Sequence, residues 1–128
     1  MASDDLPPAV KQLLARYIRS VEQLEVLLLI ASQSSRTWTA SDVYEVIRSS
    51  KASIADRLQA FTNDGFLVEE QTSPPGFRYA PKSEELRRGV EETARVYQTH
   101  RIRVIEAIFA PVVDPVQSFA DAFKLRKD

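Results

Sequence analysis

The chain has 128 residues, of which 44% are apolar and 27% charged, so it can form one globular domain with a buried core and leaves little room for extended disorder. It contains no cysteine, which excludes disulfide bonds and thiolate metal sites. Its 17 Lys and Arg are balanced by 18 Asp and Glu, whereas domains that bind nucleic acid are usually basic, so the composition gives no argument for such a role.

The N-terminal part of the sequence predicts either two helices or one long helix. Apolar residues recur at helical spacing over 6–18, and two prolines at the start suit a first helical turn. Ser20 followed by Gln23 has the spacing of a capping box, which predicts that a second helix begins there. The apolar pattern nevertheless continues across Ser20, so a single helix over 9–32 is the alternative.

A short strand and two further helices are predicted next. Residues 36–39 have the pattern of a very short strand whose Trp38 points inward. Thr39, with an acidic residue three positions later, marks the start of another helix. The helix after it is predicted over 51–63 and ends at Gly65, which suits a left-handed cap. The apolar inner faces of these two helices are Val43, Val46 and Ile47, and Ile54, Leu58 and Phe61.

The hydrophobic period then changes from that of a helix to that of a strand. Apolar and polar residues alternate on both sides of the turn sequence QTSPPG, which predicts a β-hairpin. The alternating apolar residues are Phe66, Val68, Phe77 and Tyr79. Ser83 is predicted to cap a long helix that runs to a stop at Pro111. The apolar stripe of that helix is Leu86, Val90, Thr93 or Ala94, Tyr97, Val104 and Ile108.

The last segment has one more short apolar pattern. Phe119 and Phe123 lie four residues apart, and a disordered tail has little reason to carry them because it cannot bury them. We therefore predict a short helix at about 116–125 that docks both phenylalanines into an apolar groove. A groove on the protein's own dimer is the favoured site, and a separate protein partner is the alternative.

The order of these elements predicts a winged helix-turn-helix. The fold class is then mainly α with a small β-hairpin wing (α+β), with additional helices on both sides. The predicted division is an N-terminal helix for dimerisation or cover (1–19), the winged helix-turn-helix domain (20–81), a long C-terminal dimerisation helix (82–110) and a tail with a short helix (111–128).

The stretch TASDVYEVIRSSKASIADRLQAFTNDGFLVEE resembles the core of MarR-type winged-helix transcriptional regulators. The residues that match the family pattern are Ile54, Phe61, Gly65, Phe66 and Val68. The resemblance covers 20–81 and implies that the flanking helices form a dimer and that the hairpin reaches the minor groove of DNA. The hairpin departs from the family pattern because Glu69 and Glu70 stand where basic residues are common.

The helix over 51–63 is the candidate DNA-contacting element. If its apolar residues face inward, steps of 100° place Ala52, Asp56, Gln59 and Asn63 on the opposite face. Glutamine and asparagine can pair with adenine edges, and a serine can contact a base or a phosphate. Base contacts are therefore predicted for Ser53, Gln59 and Asn63, and backbone contacts for Arg36, Lys51, Arg57 and Arg78. A solvated helix surface carrying the same residues is the alternative interpretation.

A homodimer is predicted from apolar residues in the two flanking helices. The long helix has more apolar surface than the core helices can cover, so the N-terminal helix of the same or the second chain is the natural cover. The predicted interface residues are Leu13, Tyr17, Leu86, Val90, Tyr97, Val104 and Ile108.

The sequence shows no pattern of a catalytic site. It has one histidine, His100, and no Gly-rich phosphate loop, so we expect neither an enzyme nor a bound metal or cofactor. The first residues lack the pattern of a signal peptide, and the longest apolar run, 26–31, is far shorter than the roughly 20 residues of a membrane span. We expect a cytoplasmic, dimeric, sequence-specific transcriptional regulator that binds double-stranded DNA. The alternative is a winged-helix adaptor that binds another protein and not DNA.

Overall fold

The computed structural model describes residues 6–109, and within them the chain is mainly helical with one small antiparallel sheet. The elements in chain order are α1 (Pro8–Tyr17), α2 (Val21–Ser32), β1 (Thr37–Trp38), α3 (Ala40–Val46), α4 (Lys51–Asp64), β2 (Leu67–Glu70), β3 (Gly76–Tyr79), α5 (Glu84–Thr99) and α6 (Arg101–Phe109). The predicted α+β class, mainly α with a β-hairpin, is confirmed.

The first two helices are separate, so the alternative of one helix over 9–32 is wrong. Ile18 has an extended backbone, and Ser20 caps α2 by accepting a hydrogen bond from the Gln23 N–H at 3.1 Å. The Gln23 side chain accepts in turn from the Arg19 N–H at 2.6 Å, one residue before the cap. These bonds satisfy amide donors that a helix start leaves open, which fixes the break where the sequence predicted it.

The starts of α3 and α4 and the end of α4 are also set by local hydrogen bonds. The Thr39 side chain accepts from the Asp42 N–H at 3.1 Å, and Asp42 accepts from the Thr39 N–H at 3.0 Å, so this capping box is confirmed. Ser50 caps α4 by accepting from the Ser53 N–H at 3.0 Å. Gly65 ends α4 with a φ of +95°, a left-handed conformation in which a side chain is strained.

The three strands form one sheet in the order β1-β3-β2, with Trp38 opposite Phe77 and Leu67 opposite Tyr79. The alternation predicted for the first hairpin strand is shifted by one residue. Leu67 faces the core, whereas Val68 lies opposite Arg78 and is 37% exposed. The shift arises because the strand begins after Phe66, and in a strand only every second side chain faces inward.

The core lies between α2, α4 and the sheet. Its buried residues include Leu24 of α2 and several that the sequence predicted to face inward, namely Trp38, Val43, Ile54, Leu58, Phe61, Phe66 and Phe77. Phe66 makes an edge-to-face contact with Phe61 at 5.7 Å between ring centroids and another with Tyr17 at 4.9 Å. The prediction that Val46 faces inward is wrong, since this residue is 58% exposed. The helix α3 ends at Val46, and Ile47 directly after it packs against the core instead.

The predicted single helix up to Pro111 is wrong, because the chain leaves helical geometry at His100 (φ −133°, ψ 50°). The break separates α5 from α6, and both pieces contact α1. In this arrangement Val104 of α6 is fully buried. The close approach of α5 to α1 requires a small residue, since a Cβ on Gly89 would lie 3.2 Å from Cδ1 of Leu13.

The predicted tail helix at 116–125, with Phe119 and Phe123, lies outside the described residues. Within residues 6–109, no helix is long and apolar enough to cross a membrane.

Candidate nucleic-acid interface

The outward face of α4 is small and uncharged apart from one carboxylate. Ala52, Asp56, Gln59 and Asn63 are exposed, while the opposite face of the helix is packed in the core. The Gln59 Nε2 donates to Oδ1 of Asn63 at 3.5 Å, so two amide groups lie side by side along the helix. This face carries donors and acceptors suited to base edges and no positive charge of its own.

A single carboxylate, that of Glu22 at the start of α2, holds the flank of α4. It accepts hydrogen bonds from Oγ of Ser49, from Oγ of Ser53 at 2.8 Å and from Nε of Arg57 at 3.1 Å. The side chains of Glu22 and Arg57 are only 19% and 33% exposed, so this ion pair is weakly screened. The structure thus brings together two of the predicted DNA contacts, Ser53 and Arg57, through a residue that the sequence analysis missed.

The ionisation of Glu22 is favoured by these bonds. Burial raises the pKa of its carboxyl, but the hydrogen bonds from Ser49, Ser53 and Arg57, together with the charge of Arg57, outweigh burial. The net pKa is lowered below the ordinary value of 4.5, so the group is charged at neutral pH.

The turn between α3 and α4 carries a second group of candidate contacts. Nζ of Lys51 and Cζ of Arg48 both lie 5.5 Å from the centroid of the Tyr44 ring. Arg48 is also 3.6 Å from the carboxylate of Glu45 in an exposed pair, which contributes little because water screens it. An aromatic face with two cations beside it lies at the N-terminal end of α4.

The remaining basic candidates, Arg36 directly before β1 and Arg78 on β3, are each close to a carboxylate. Nε of Arg78 is 3.1 Å from Oε2 of Glu70 across the hairpin. The guanidinium of Arg36 stacks 3.7 Å above the Trp38 ring and is 4.0 Å from Oδ2 of Asp42. Five of the seven predicted DNA contacts therefore lie on α4, whereas Arg36 lies directly before β1 and Arg78 lies on β3.

Several residues predicted for a dimer interface are already buried within one chain. Leu13, Val90 and Val104 are at most 4% exposed, because α1 covers α5 and α6 of the same chain. Tyr17 packs on Phe66, and the Tyr97 hydroxyl donates to Oε2 of Glu25 at 2.9 Å. The remaining two, Leu86 and Ile108, are partly buried. Much of the predicted interface is thus internal packing.

The apolar side chains that stay exposed near the C-terminal end of the described chain are different ones. Ile102 and Phe109 of α6 are 65% and 69% exposed. They are seven positions apart and so lie on the same side of the helix. A cleft of about 160 Å³ also opens between α1 and the start of α5, lined by residues that include Leu13, Tyr17 and Leu86.

Comparison of the chain with protein-family models, with curated proteins and with solved structures finds no match. No relative therefore assigns a role to this surface. Among residues 6–109, no three histidine or acidic side chains come together in a way that could hold a metal ion.

Proposed function

We propose that this protein is a winged-helix DNA-binding protein that regulates transcription. The observation that carries the proposal is the arrangement of α3 and α4, joined by a short turn and followed by a hairpin, with a polar face of α4 turned to solvent. In helix-turn-helix proteins the second helix of such a pair enters the major groove, where its outward side chains contact base edges. In this proposal α4 is that helix and the β2–β3 hairpin is the wing.

The outward face of α4 supports base contacts because its side chains, apart from the carboxylate of Asp56, are either small or amide-bearing. Gln59 and Asn63 can each donate to and accept from adenine, and the methyl group of Ala52 suits contact with a thymine methyl group. Asp56 repels phosphate, so on this helix its compatible partner is a cytosine amino group. The side chains of α4 thus favour recognition of base edges over attraction to the DNA backbone.

Backbone contacts are supplied by the α3–α4 turn and the wing. Lys51 and Arg48, held near Tyr44, lie at the N-terminal end of α4, where the chain would cross the DNA backbone. Arg78 of the wing and Arg36 beside it must exchange a carboxylate for a phosphate before they contribute. The affinity expected from this surface is modest and falls with salt.

A dimer would place two copies of α4 in successive major grooves about 34 Å apart. Because the stripe that contains Val90 and Val104 is internal, the contact between two chains has to use other surface. The exposed apolar pair Ile102 and Phe109 offers such a surface.

A protein-binding adaptor of the same fold is the second candidate function. One observation favours it: Arg36, Arg57 and Arg78 each lie within 4.0 Å of a carboxylate, so the basic residues of this region are largely neutralised. Such a surface attracts DNA weakly while its shape stays available to a protein.

The two functions are separated by selection of random duplexes with the purified chain at low salt. The regulator enriches a sequence, and its affinity falls steeply as salt increases. Lys51→Ala should then weaken binding to all duplexes alike, whereas Gln59→Ala should relax the sequence preference. Arg88→Ala on α5 is the matched control, since this removes an exposed cation outside the proposed interface. Absence of any enriched sequence at low salt would favour the adaptor.

A further inference from the structure

We propose that Glu22 is an internal competitor for DNA phosphate, which holds the flank of α4 in a weakly binding state. This inference rests on the DNA-binding role proposed above. Its basis is that one carboxylate from α2 occupies Oγ of Ser53 and Nε of Arg57, donors of the kind that proteins use to bind phosphate oxygens.

The competition follows from the chemistry of the two acceptors. A carboxylate and a phosphate both present anionic oxygens, and a guanidinium or a hydroxyl donates to either. While Glu22 holds Arg57, the pair has no net charge, so a nearby phosphate gains little from the arginine and is repelled by the carboxylate. The pair is partly shielded from water, which reduces the screening of this repulsion.

The position of Glu22 makes the contact more than a surface ion pair. It joins the start of α2 to Ser49 in the α3–α4 turn as well as to α4 itself, so it also ties the turn in place. DNA binding through Arg57 requires this network to exchange one partner for another. Glu22→Gln removes the charge that holds Arg57 and keeps the shape of the side chain. One oxygen still accepts, and the amide NH2 that replaces the other oxygen donates to a serine hydroxyl instead of accepting from it.

The test is Glu22→Gln, compared with Glu25→Gln on the same helix. Both variants remove one negative charge, but the carboxylate of Glu25 accepts from Tyr97 of α5 and Arg101 of α6, whereas that of Glu22 accepts from α4. Affinity for a selected duplex is measured between about 0.05 and 0.2 M salt. We expect Glu22→Gln to bind roughly eightfold more tightly near 0.1 M salt, which is what the counterion relation gives for one further neutralised phosphate, with a log–log salt slope steeper by about 0.9. Glu25→Gln should change the affinity by less than about twofold, since its carboxylate accepts from Tyr97 and Arg101 and holds none of the proposed phosphate-binding donors of α4.

A second variant links the gain to Arg57. In the Glu22→Gln background, Arg57→Gln should remove the whole gain of roughly eightfold, whereas in the wild-type background it should cost less than about threefold. If Arg57→Gln weakened binding of the otherwise wild-type chain by the same roughly eightfold, Arg57 would already contact DNA with Glu22 in place. This result would overturn the proposal even if Glu22→Gln did not fold. Thermal unfolding of each variant checks that the fold is retained.

The outcomes separate this inference from the proposed function. If the wild type binds DNA and Glu22→Gln binds no more tightly than Glu25→Gln, the competitor role is overturned and the DNA-binding role stands. If only Glu22→Gln binds, both are supported. If neither the wild type nor Glu22→Gln binds DNA at low salt, the competitor role and the DNA-binding role are both overturned, because removal of the Glu22 charge has then not restored any affinity.

Discussion

Loss of the hydroxyl group should change the free energy of unfolding in opposite directions at two tyrosines, Tyr79 and Tyr97. Tyr79 is 9% exposed, and no group among the described residues lies within hydrogen-bonding distance of its hydroxyl. Burial, together with the charge of Glu91, raises the pKa of Tyr79 to about 12, and the charge of Arg87 opposes this shift. The Tyr97 hydroxyl, in contrast, donates to Glu25 at 2.9 Å.

The expected sizes follow from this difference. A buried hydroxyl without a partner costs about 1–3 kcal/mol in proteins, so Tyr79→Phe should raise the free energy of unfolding by about 1 kcal/mol or more. Tyr97→Phe loses a hydrogen bond to a charged acceptor at a partly exposed position, so it should lower the free energy of unfolding by about 1 kcal/mol. Both substitutions keep the ring, and the two variants should therefore differ by roughly 2 kcal/mol.

Urea unfolding of both variants measures the effect. A change in midpoint at constant slope reports stability alone, without a change in the surface exposed on unfolding. If Tyr79→Phe lost more than about 1 kcal/mol, its hydroxyl would have a partner, and the packing described around β3 would be wrong. Equal changes in the two variants would refute the reasoning in the same way.

Three further predictions concern the core, the end of α4 and the response to acid. Leu58→Ala should lower the free energy of unfolding by about 2–5 kcal/mol because Leu58 is fully buried, while Gln59→Ala should stay within about 0.5 kcal/mol; a small loss at Leu58 would contradict the inward face of α4. Gly65→Ala should cost about 1–2 kcal/mol, because its φ of +95° is left-handed and a Cβ would meet the Lys82 side chain. Gly65→Asn should cost less, and chemical denaturation of the two variants would show equal losses if the left-handed strain were absent. Because the folded-state pKa of Glu22 is lowered, its bonds stabilise the fold fully above pH 4.5 and lose that contribution as the pH falls through the folded-state pKa. The stability difference between wild type and Glu22→Gln should therefore shrink on acidification through this range, and a pH-independent difference would exclude Glu22 as the titrating group.

The parts of the fold that the sequence predicted correctly are those fixed by neighbouring residues. The breaks at Ser20 and Thr39 follow from bonds that span three or four residues, and the end of α4 follows from the conformation of one glycine. The break at His100 has no such local cause, since neither proline nor glycine stands there. It accompanies the packing of α6 against α1, a contact between distant parts of the chain that periodicity does not report.

The candidate site also has a part that the sequence could predict and a part that it could not. The outward face of α4 could be predicted because a helix places its side chains at fixed angles, so the burial of Ile54 and Leu58 fixes the exposure of Gln59. The Glu22 network could not be predicted, because its partners are 27 to 35 residues away. An acidic residue in the first turn of α2 is adequately explained by the helix dipole alone, so nothing in the sequence marks it as a partner of α4.

The ion pairs of the candidate site help to explain the near-zero net charge of the chain. A near-zero net charge is compatible with a basic patch on one face, provided that the acidic residues lie elsewhere. Here Arg57, Arg78 and Arg36 each lie near a carboxylate. Positive and negative charges therefore cancel within the region where DNA contacts are proposed. Such pairs leave the shape of the surface unchanged and lower the number of phosphates that it neutralises. Since the salt-dependent part of DNA affinity scales with that number, the proposed DNA-binding role implies that these carboxylates limit how tightly the surface would bind DNA.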